Sequence, residues 1–339
     1  MKAILINAPQ DISLNEVSDP ARKGNEVIIK VHGMGICGSD IAAYKGINPL
    51  VTYPRIIGHE IAGEVLEVPQ GETEIMPGDR VVIEPYVYCG KCYPCMNQRT
   101  NCCENLTVRG VHIDGGMSEF CFHPRHLVHK APAHVSWKHL AMVEPLTISV
   151  HAVQRARLDK GEHLVVTGSG PIGLLAAQYA LVLGAVPIMV DPIDERLAFA
   201  RLLGIPHGIN PAKESAIERI KEITGGRMAE AVVEASGSDA AIRSSIDYVA
   251  YSGRIALVGW PKGEVSLMTA MFTKKELDVM GSRNSFQVFP ESIDLIAGNK
   301  IDVASLITRT VSFEEIPAVV KEIAAYPEKF MKVVALSEG

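Results

Sequence analysis

The chain has 339 residues, 47% apolar and 21% charged, an ordinary globular composition long enough to build two cores. Its formal charge of −6 argues against a surface made for nucleic acid or anionic membrane, both of which want clustered basic charge. The opening MKAILINAPQDISLNEV has no sustained apolar run and no small-residue cleavage site, which predicts a cytoplasmic protein.

The first half reads as short strands. EVIIKV at 26–31 and DRVVIEP at 79–85 are β-branched runs bounded by Gly, Pro and Asp, with turn residues such as PGD at 77–79 between them. From about residue 150 the texture changes to strand alternating with helix. HLVVT leads into the glycine turn GSGPIG, the helical stretch LLAAQYALVLG, the strand VPIMVD and the helix DERLAFARLLG. AVVEASG, AAIRSSIDYVA and RIALVGW repeat the pattern, which predicts right-handed crossovers and a parallel sheet. The run PIGLLAAQYALVLGAVPIMV at 171–190 is long enough to imitate a membrane span. Its break at Gly184 and Pro187 predicts a buried helix followed by a strand instead. Changes of texture place domains at 1–151 and 152–284, with 285–339 returning to the first.

Five of the seven cysteines fall in CGKCYPCMNQRTNCC, residues 89–103. Cys89, Cys92, Cys95 and Cys103 have the spacing C-x2-C-x2-C-x7-C, in which backbone turns aim successive thiolates at one centre. Bonds of about 2.3 Å in a closed tetrahedron suit a structural zinc, and the gaps differ from common iron–sulfur runs. The adjacent Cys102 leaves the fourth ligand open. Such a closed site braces a loop and does no chemistry.

An open metal site is sought at GICGSD (35–40), GHE (58–60) and VEP (143–145), which offer Cys37, His59, Glu60 and Glu144. Three protein ligands with an open position make a catalytic zinc site. Singly, each of these residues is as well explained as core or surface. GSGPIG (168–173) fits G-x-G-x-x-G, with Gly168, Gly170 and Gly173 for the turn and Pro171 and Ile172 opening a helix whose N-terminus suits a pyrophosphate. Asp191 ends the next strand, where a carboxylate takes the adenosine ribose hydroxyls and repels a 2′-phosphate, favouring NAD; Arg196 works against that preference. Asp191 also suits the cap of the following helix.

Taken together and in this order, GICGSD, PRIIGHEIAGEV, the four-cysteine loop, DGGMSEF, MVEPLTISVHAV and GSGPIG resemble the zinc-dependent medium-chain alcohol dehydrogenases over nearly the whole chain. GHE and EP resemble the sorbitol and threonine dehydrogenase branch, and TNCCE, GVHIDGG and MGSRNS resemble bacterial dehydrogenases of hexonic acids. The resemblance implies a GroES-like, mostly β catalytic domain and a Rossmann NAD domain. It implies Cys37, His59 and Glu60 as ligands of a catalytic zinc, Glu144 as a further ligand or the holder of the zinc-bound water, and Ser39 as the hydroxyl that relays the alcohol proton. Ser236, Val258 and Gly259 would line the cofactor, with Ser282 near the nicotinamide. Arg283 would meet a substrate carboxylate, with Arg109 and His112 as weaker candidates. Two departures stand out: the relay histidine of the pattern is Ala42, and the glycine expected after GHExxG is Pro69.

The expected reaction is oxidation of a secondary alcohol of a sugar acid such as L-gulonate or L-galactonate, in a homo-oligomer, dimer or tetramer. A polyol or amino-alcohol dehydrogenase differs only in pocket lining. A non-catalytic NAD-binding protein or a zinc-free quinone reductase is disfavoured by the complete set at 37, 59, 60 and 144.

Overall fold

The computed structural model describes residues 1–19, 22 and 24–337. They form two compact units. One comprises Met1–Glu144, Phe289–Asn299 and Val303–Gly339; the other comprises Pro145–Val288 and Lys300–Asp302.

The first unit is mostly β. Its largest sheet runs Val128–Lys130, Arg80–Ile83, Glu60–Glu67, Glu26–Ile36, Lys332–Leu336, Ile307–Ser312, with Phe120–Pro124 also paired to Glu26–Ile36. The EVIIKV run thus extends to Ile36, since VHGMGI continues the extended backbone and is buried throughout its second half. The strand alternates early, with Val27, Ile29 and Val31 buried and their neighbours half-exposed, as a sheet with one face on a core requires. Lys332–Leu336 lies between Glu26–Ile36, to which it is antiparallel, and Ile307–Ser312, to which it is parallel. A strand from the end of the sequence therefore occupies a central position in this sheet. Ile4, Ile29, Met34, Ile61, Val81, Phe313 and Val333 contribute to the core that the sheet covers.

The second unit holds the doubly wound parallel sheet expected from the alternating texture. Its strands lie in the order His207–Ile209, Val186–Val190, His163–Thr167, Ala229–Glu234, Val249–Leu257, Asp278–Gly281, all neighbours parallel. The chain order reverses beside His163–Thr167, and ligands of such sheets bind outside the carboxyl ends at that point. The membrane-like run divides into helix Pro171–Val182 and strand Val186–Val190, with Gly184 turning at φ +76°. No helix of the described residues is long and apolar enough to cross a membrane. Strand His207–Ile209 with helix Ala216–Ile223, helix Ala270–Lys275 and strand Asp278–Gly281 went unrecognised in the sequence. His207–Ile209 is three residues long and Asp278–Gly281 four, and both are edge strands, so neither carries a sustained apolar run.

Candidate functional site

In the first unit the sheet register assembles a buried polar centre. Gly35 pairs with Glu60, and Val333 with Ile36, so that Cys37, Glu60 and Lys332 meet at neighbouring strand ends. Cys37 caps helix Gly38–Tyr44, and its N–H donates to Asp40 Oδ2 at 2.9 Å. One donor atom from each of Cys37, His59 and Glu60 lies within 4.8 Å of the others. His59 and Glu60 are buried, and a Cβ on Gly35 would stand 1.8 Å from Glu60 Oε2, so the carboxylate occupies space only glycine leaves.

The charges around this centre are unequal. Lys332 Nζ donates to the Glu60 carboxylate, and both side chains are almost wholly buried, at 4% and 1% exposure. Burial works against the lysine's charge, but Glu60 and Cys37 hold its ammonium above the ordinary lysine range. Asp40 Oδ1 stands 3.8 Å from His59 Nδ1, which has no hydrogen-bond partner among the described residues. Glu144, in the first turn of Val143–Arg155, accepts a hydrogen bond from the Tyr86 hydroxyl. Burial, and then the Glu144 carboxylate, push the Tyr86 phenol well up, so it stays protonated and donates. Burial likewise raises Asp40 and Glu144 above the usual carboxylate range. A thiol, three buried acids and one lysine are left short of positive charge, which a dication supplies. Thiolate, imidazole and carboxylate are also the donors zinc takes. The residues present fit that metal. Glu144 stands outside the three mutually close donors.

The four-cysteine loop folds on itself. Cys89 follows the Tyr86–Val87 strand, Cys92 caps helix Tyr93–Met96, Cys95 lies in it, and Cys103 follows the turn Thr100–Cys102. The four sulfurs lie within 4.8 Å of one another, Cys92 Sγ being 3.4 Å from Cys95 Sγ and 3.7 Å from Cys103 Sγ. A tetrahedron with bonds of about 2.3 Å has sulfurs about 3.8 Å apart. Cys103 joins the cluster and Cys102 does not. Backbone N–H groups of Lys91 and Cys92 aimed at its sulfur bring the Cys89 thiol down to about 6, which favours the thiolate a metal needs. N–H groups of Cys89 and Asn105 both donate to Cys103 Sγ at 3.3 Å, the outer contacts expected of ligating sulfurs.

In the second unit GSGPIG joins strand His163–Thr167 to helix Pro171–Val182. Gly168 has φ +92°, and a Cβ on Gly173 would stand 1.9 Å from Gly168 O, so both positions demand glycine. Gly170 is the N-cap and has open space where a Cβ would be, while Pro171 opens the helix. The Ile172 carbonyl accepts from Ser149 Oγ at 2.8 Å. Asp191 is buried and accepts from Ser169 N at 2.7 Å and Ile193 N at 2.9 Å, fastening the glycine turn to the next strand. Arg196 Nη1 lies 4.0 Å from Asp191 Oδ2. Val258 and Gly259 donate their N–H groups to Glu234 O at 2.9 and 3.1 Å. Ser282 N reaches Leu257 O at 2.8 Å, and its buried hydroxyl, like that of Ser169, has no hydrogen-bond partner among the described residues. A helix N-terminus with open space at Gly170, buried hydroxyls lacking partners and a carboxylate at the next strand's end fit a dinucleotide.

Ser39 Oγ lies 3.5 Å from His59 Nε2, while Ala42 lies farther along the same helix. Arg283 is exposed. Arg109 donates to His123 Nδ1 at 2.7 Å, to Asp114 O at 3.0 Å and to Phe122 O, and His112 Nδ1 accepts from Val108 N at 3.1 Å. Arg109 ties its loop to the strand Phe120–Pro124, and His112 holds its own loop together. Asp40, Tyr86, Lys332 and Glu234 were missed from the sequence. Asp40 has a local signal, an acid three residues after Cys37, and Glu234 has one as a lone acid ending the apolar run AVVE. Lys332 has none.

These two units are those of the zinc-binding alcohol dehydrogenases, oxidoreductases acting on CH–OH groups, and the chain belongs to that family. Residues 23–133 match the alcohol dehydrogenase GroES-like domain, and residues 171–298 match the zinc-binding dehydrogenase domain. An uncharacterized zinc-type alcohol dehydrogenase-like protein of Haemophilus influenzae is 51% identical over 99% of this chain and 98% of its own. L-galactonate-5-dehydrogenase of Escherichia coli is 35% identical, with 92% of each chain covered. A solved Escherichia coli alcohol dehydrogenase complexed with NADH superposes with TM-score 0.91 at 32% identity, covering 99% of each chain.

Two outcomes are expected. Cys89→Ser should lower the thermal midpoint and reduce zinc, measured by elemental analysis, from the two centres per chain to one; an equally heat-resistant variant with full zinc would contradict the bracing role. Lys332→Met leaves Glu60 buried without its cation, and breaking such a pair costs about 3–5 kcal/mol. Denaturant titration should show that loss, and adding Glu60→Gln should recover part of it.

Proposed function

We propose that this protein is an NAD-linked, zinc-dependent dehydrogenase that oxidises a secondary alcohol of a sugar acid of the L-gulonate or L-galactonate type. The observation that carries the chemistry is the thiolate–imidazole–carboxylate centre at Cys37, His59 and Glu60. The likeness to L-galactonate-5-dehydrogenase over nearly the whole chain supports the substrate class.

Cys37, His59 and Glu60 would hold the catalytic zinc, with Glu144 as a further ligand, and Cys89, Cys92, Cys95 and Cys103 would hold the structural one. Bound zinc supplies a Lewis acid for the substrate hydroxyl, and bound nicotinamide supplies the hydride acceptor. Asp40 orients the His59 ring from its Nδ1 side, and Lys332 holds the Glu60 carboxylate in place. Ser39 Oγ, beside His59 Nε2, relays the substrate hydroxyl proton, accepting it as its own hydroxyl proton passes on. With Ala42 where the relay histidine stands in the family pattern, the proton then leaves to water. Gly168, Gly170, Pro171, Ile172 and Gly173 present the helix N-terminus to the pyrophosphate. Asp191 takes the adenosine ribose hydroxyls with the lone pairs its two backbone partners leave, and disfavours a 2′-phosphate despite Arg196. Ser236, Val258, Gly259 and Ser282 complete the cofactor lining, and Arg283 meets the substrate carboxylate.

The proposal extends to a homo-oligomer acting in the cytoplasm. Support comes from the outer edge of strand Asp278–Gly281, which the six-stranded sheet leaves unpaired among the described residues, and from exposed Tyr251, Trp260 and Met268. All seven cysteines are free, as a reducing compartment keeps them.

The cofactor reading predicts that Asp191→Ala raises the kcat/KM ratio of NADP to NAD by about tenfold or more, since a hydrogen-bonded charged group is lost from the ribose site. Wild-type preference for NADP would contradict it. The substrate reading is tested with Arg283→Ala and two substrates, a hexonate and sorbitol. Loss of a charge-assisted contact should lower kcat/KM for the hexonate roughly ten- to hundredfold and affect sorbitol less. Equal losses would make Arg283 a hydroxyl contact or a structural residue. No turnover of any hexonate by the wild type would leave a polyol or amino-alcohol as substrate.

A further inference from the structure

Glu234 ends the strand Ala229–Glu234 with none of its surface exposed, and no role in binding metal, cofactor or substrate has so far fallen to it. No ion pair compensates its burial among the described residues. Its carboxylate is met by hydrogen-bond donors alone. Ser236 N donates to Oε1 at 2.8 Å, Gly237 N at 3.0 Å and Thr167 Oγ1 at 3.3 Å, and the Ser236 hydroxyl donates to the same oxygen. The Glu234 carbonyl accepts from Val258 N and Gly259 N.

These donors come from three adjacent strands. Thr167 is the last residue before the glycine turn, Ser236 and Gly237 follow Glu234 itself, and Val258 and Gly259 follow Val249–Leu257. The contacts are close enough to set positions. A Cβ on Gly259 would stand 2.6 Å from Glu234 Oε2, and a Cβ on Gly168 would stand 2.9 Å from Ser236 Cβ. The carboxylate thus fixes Ser236, and Ser236 abuts the glycine turn. An anion accepts on both oxygens, and Gly237 N also donates to Oε2 at 3.2 Å, where a neutral amide would set its NH2 against that N–H.

We infer that Glu234 is a positioning residue for the dinucleotide: it holds the glycine turn, the Ser236–Gly237 turn and the Val258–Gly259 segment in one arrangement and so sets cofactor affinity without touching the cofactor. This rests on the reading of that crevice as the dinucleotide site. A residue of this kind acts on binding. Its loss should raise the NADH dissociation constant and KM for NAD while changing kcat and the KM for the alcohol little.

The test compares Glu234→Gln with Thr167→Val, which removes one donor to the carboxylate and keeps the side-chain shape. NADH binding is titrated by fluorescence, with zinc content and thermal midpoint measured alongside. Glu234→Gln should weaken NADH binding at least tenfold and Thr167→Val about two- to fivefold, with zinc content unchanged. In the double variant the two losses should be less than additive, because both substitutions weaken the same contact between Thr167 Oγ1 and the residue-234 side chain. If Glu234→Gln fails to fold, the Thr167→Val titration decides. Folded variants that bind NADH within twofold of the wild type, whatever their thermal midpoint, would overturn the inference and make Glu234 a stabilising residue only. A wild type that binds no NADH would overturn the cofactor reading itself, and this inference with it.

Discussion

A buried ion pair between Lys332 and Glu60, residues 272 apart in sequence, sets the terms for the first unit. Two charges withdrawn from water are tolerated only where the geometry is good and further partners exist. Here the geometry comes from the sheet, because Lys332 begins the strand lodged between Glu26–Ile36 and Ile307–Ser312. The centre at Cys37, His59 and Glu60 is therefore incomplete until the end of the sequence is in place. The pair also neutralises only one acid. Asp40, Glu144 and the Cys37 thiol remain around it, and burial disfavours ionising the two carboxyls without more positive charge. A site with this imbalance suits a dication and would be poorly served by water.

The two units solve the same electrostatic problem differently. In the first, Lys332 balances the Glu60 carboxylate, and the proposed reading leaves the remaining acids to a zinc ion. In the second, Asp191 and Glu234 are compensated chiefly by backbone N–H groups at the carboxyl ends of parallel strands. Amide dipoles hold an anion without neutralising it, which suits positions where the carboxylate must order a turn and still offer lone pairs. Arg196, 4.0 Å from Asp191, is half-exposed and only modulates that arrangement. The four-cysteine loop shows a third arrangement, in which N–H groups bring the Cys89 thiol down while burial raises those of Cys95 and Cys103, a set that a closed metal site would hold as thiolates.

What the sequence made legible was local. The glycine turn, the strand–helix alternation and the C-x2-C-x2-C spacing each lie within a short window, and each maps onto one structural feature. The apolar run at 171–190 was resolved by Gly184 and Pro187 for the same reason. Choosing Cys103 over Cys102 required the fold, because Cys102 ends the turn Thr100–Cys102 half-exposed, whereas Cys103, just past it at φ −51° and ψ 132°, is buried with its sulfur in the cluster. Lys332 was invisible because its partner is set by strand order, and Tyr86 because a tyrosine beginning a two-residue strand carries no mark of the acid it will meet. Asp40 and Glu234 were readable in principle, as acids at turns beside apolar strands, but their partners are backbone groups and a ring nitrogen that no spacing rule reveals.

The most direct measurement is a crystal structure of the protein as purified, with anomalous data collected on both sides of the zinc absorption edge. The account predicts two zinc peaks per chain, one among Cys89, Cys92, Cys95 and Cys103 and one between Cys37, His59 and Glu60, with Lys332 still on Glu60. A catalytically active protein showing no metal at the second position, or metal held there by other residues, would contradict it.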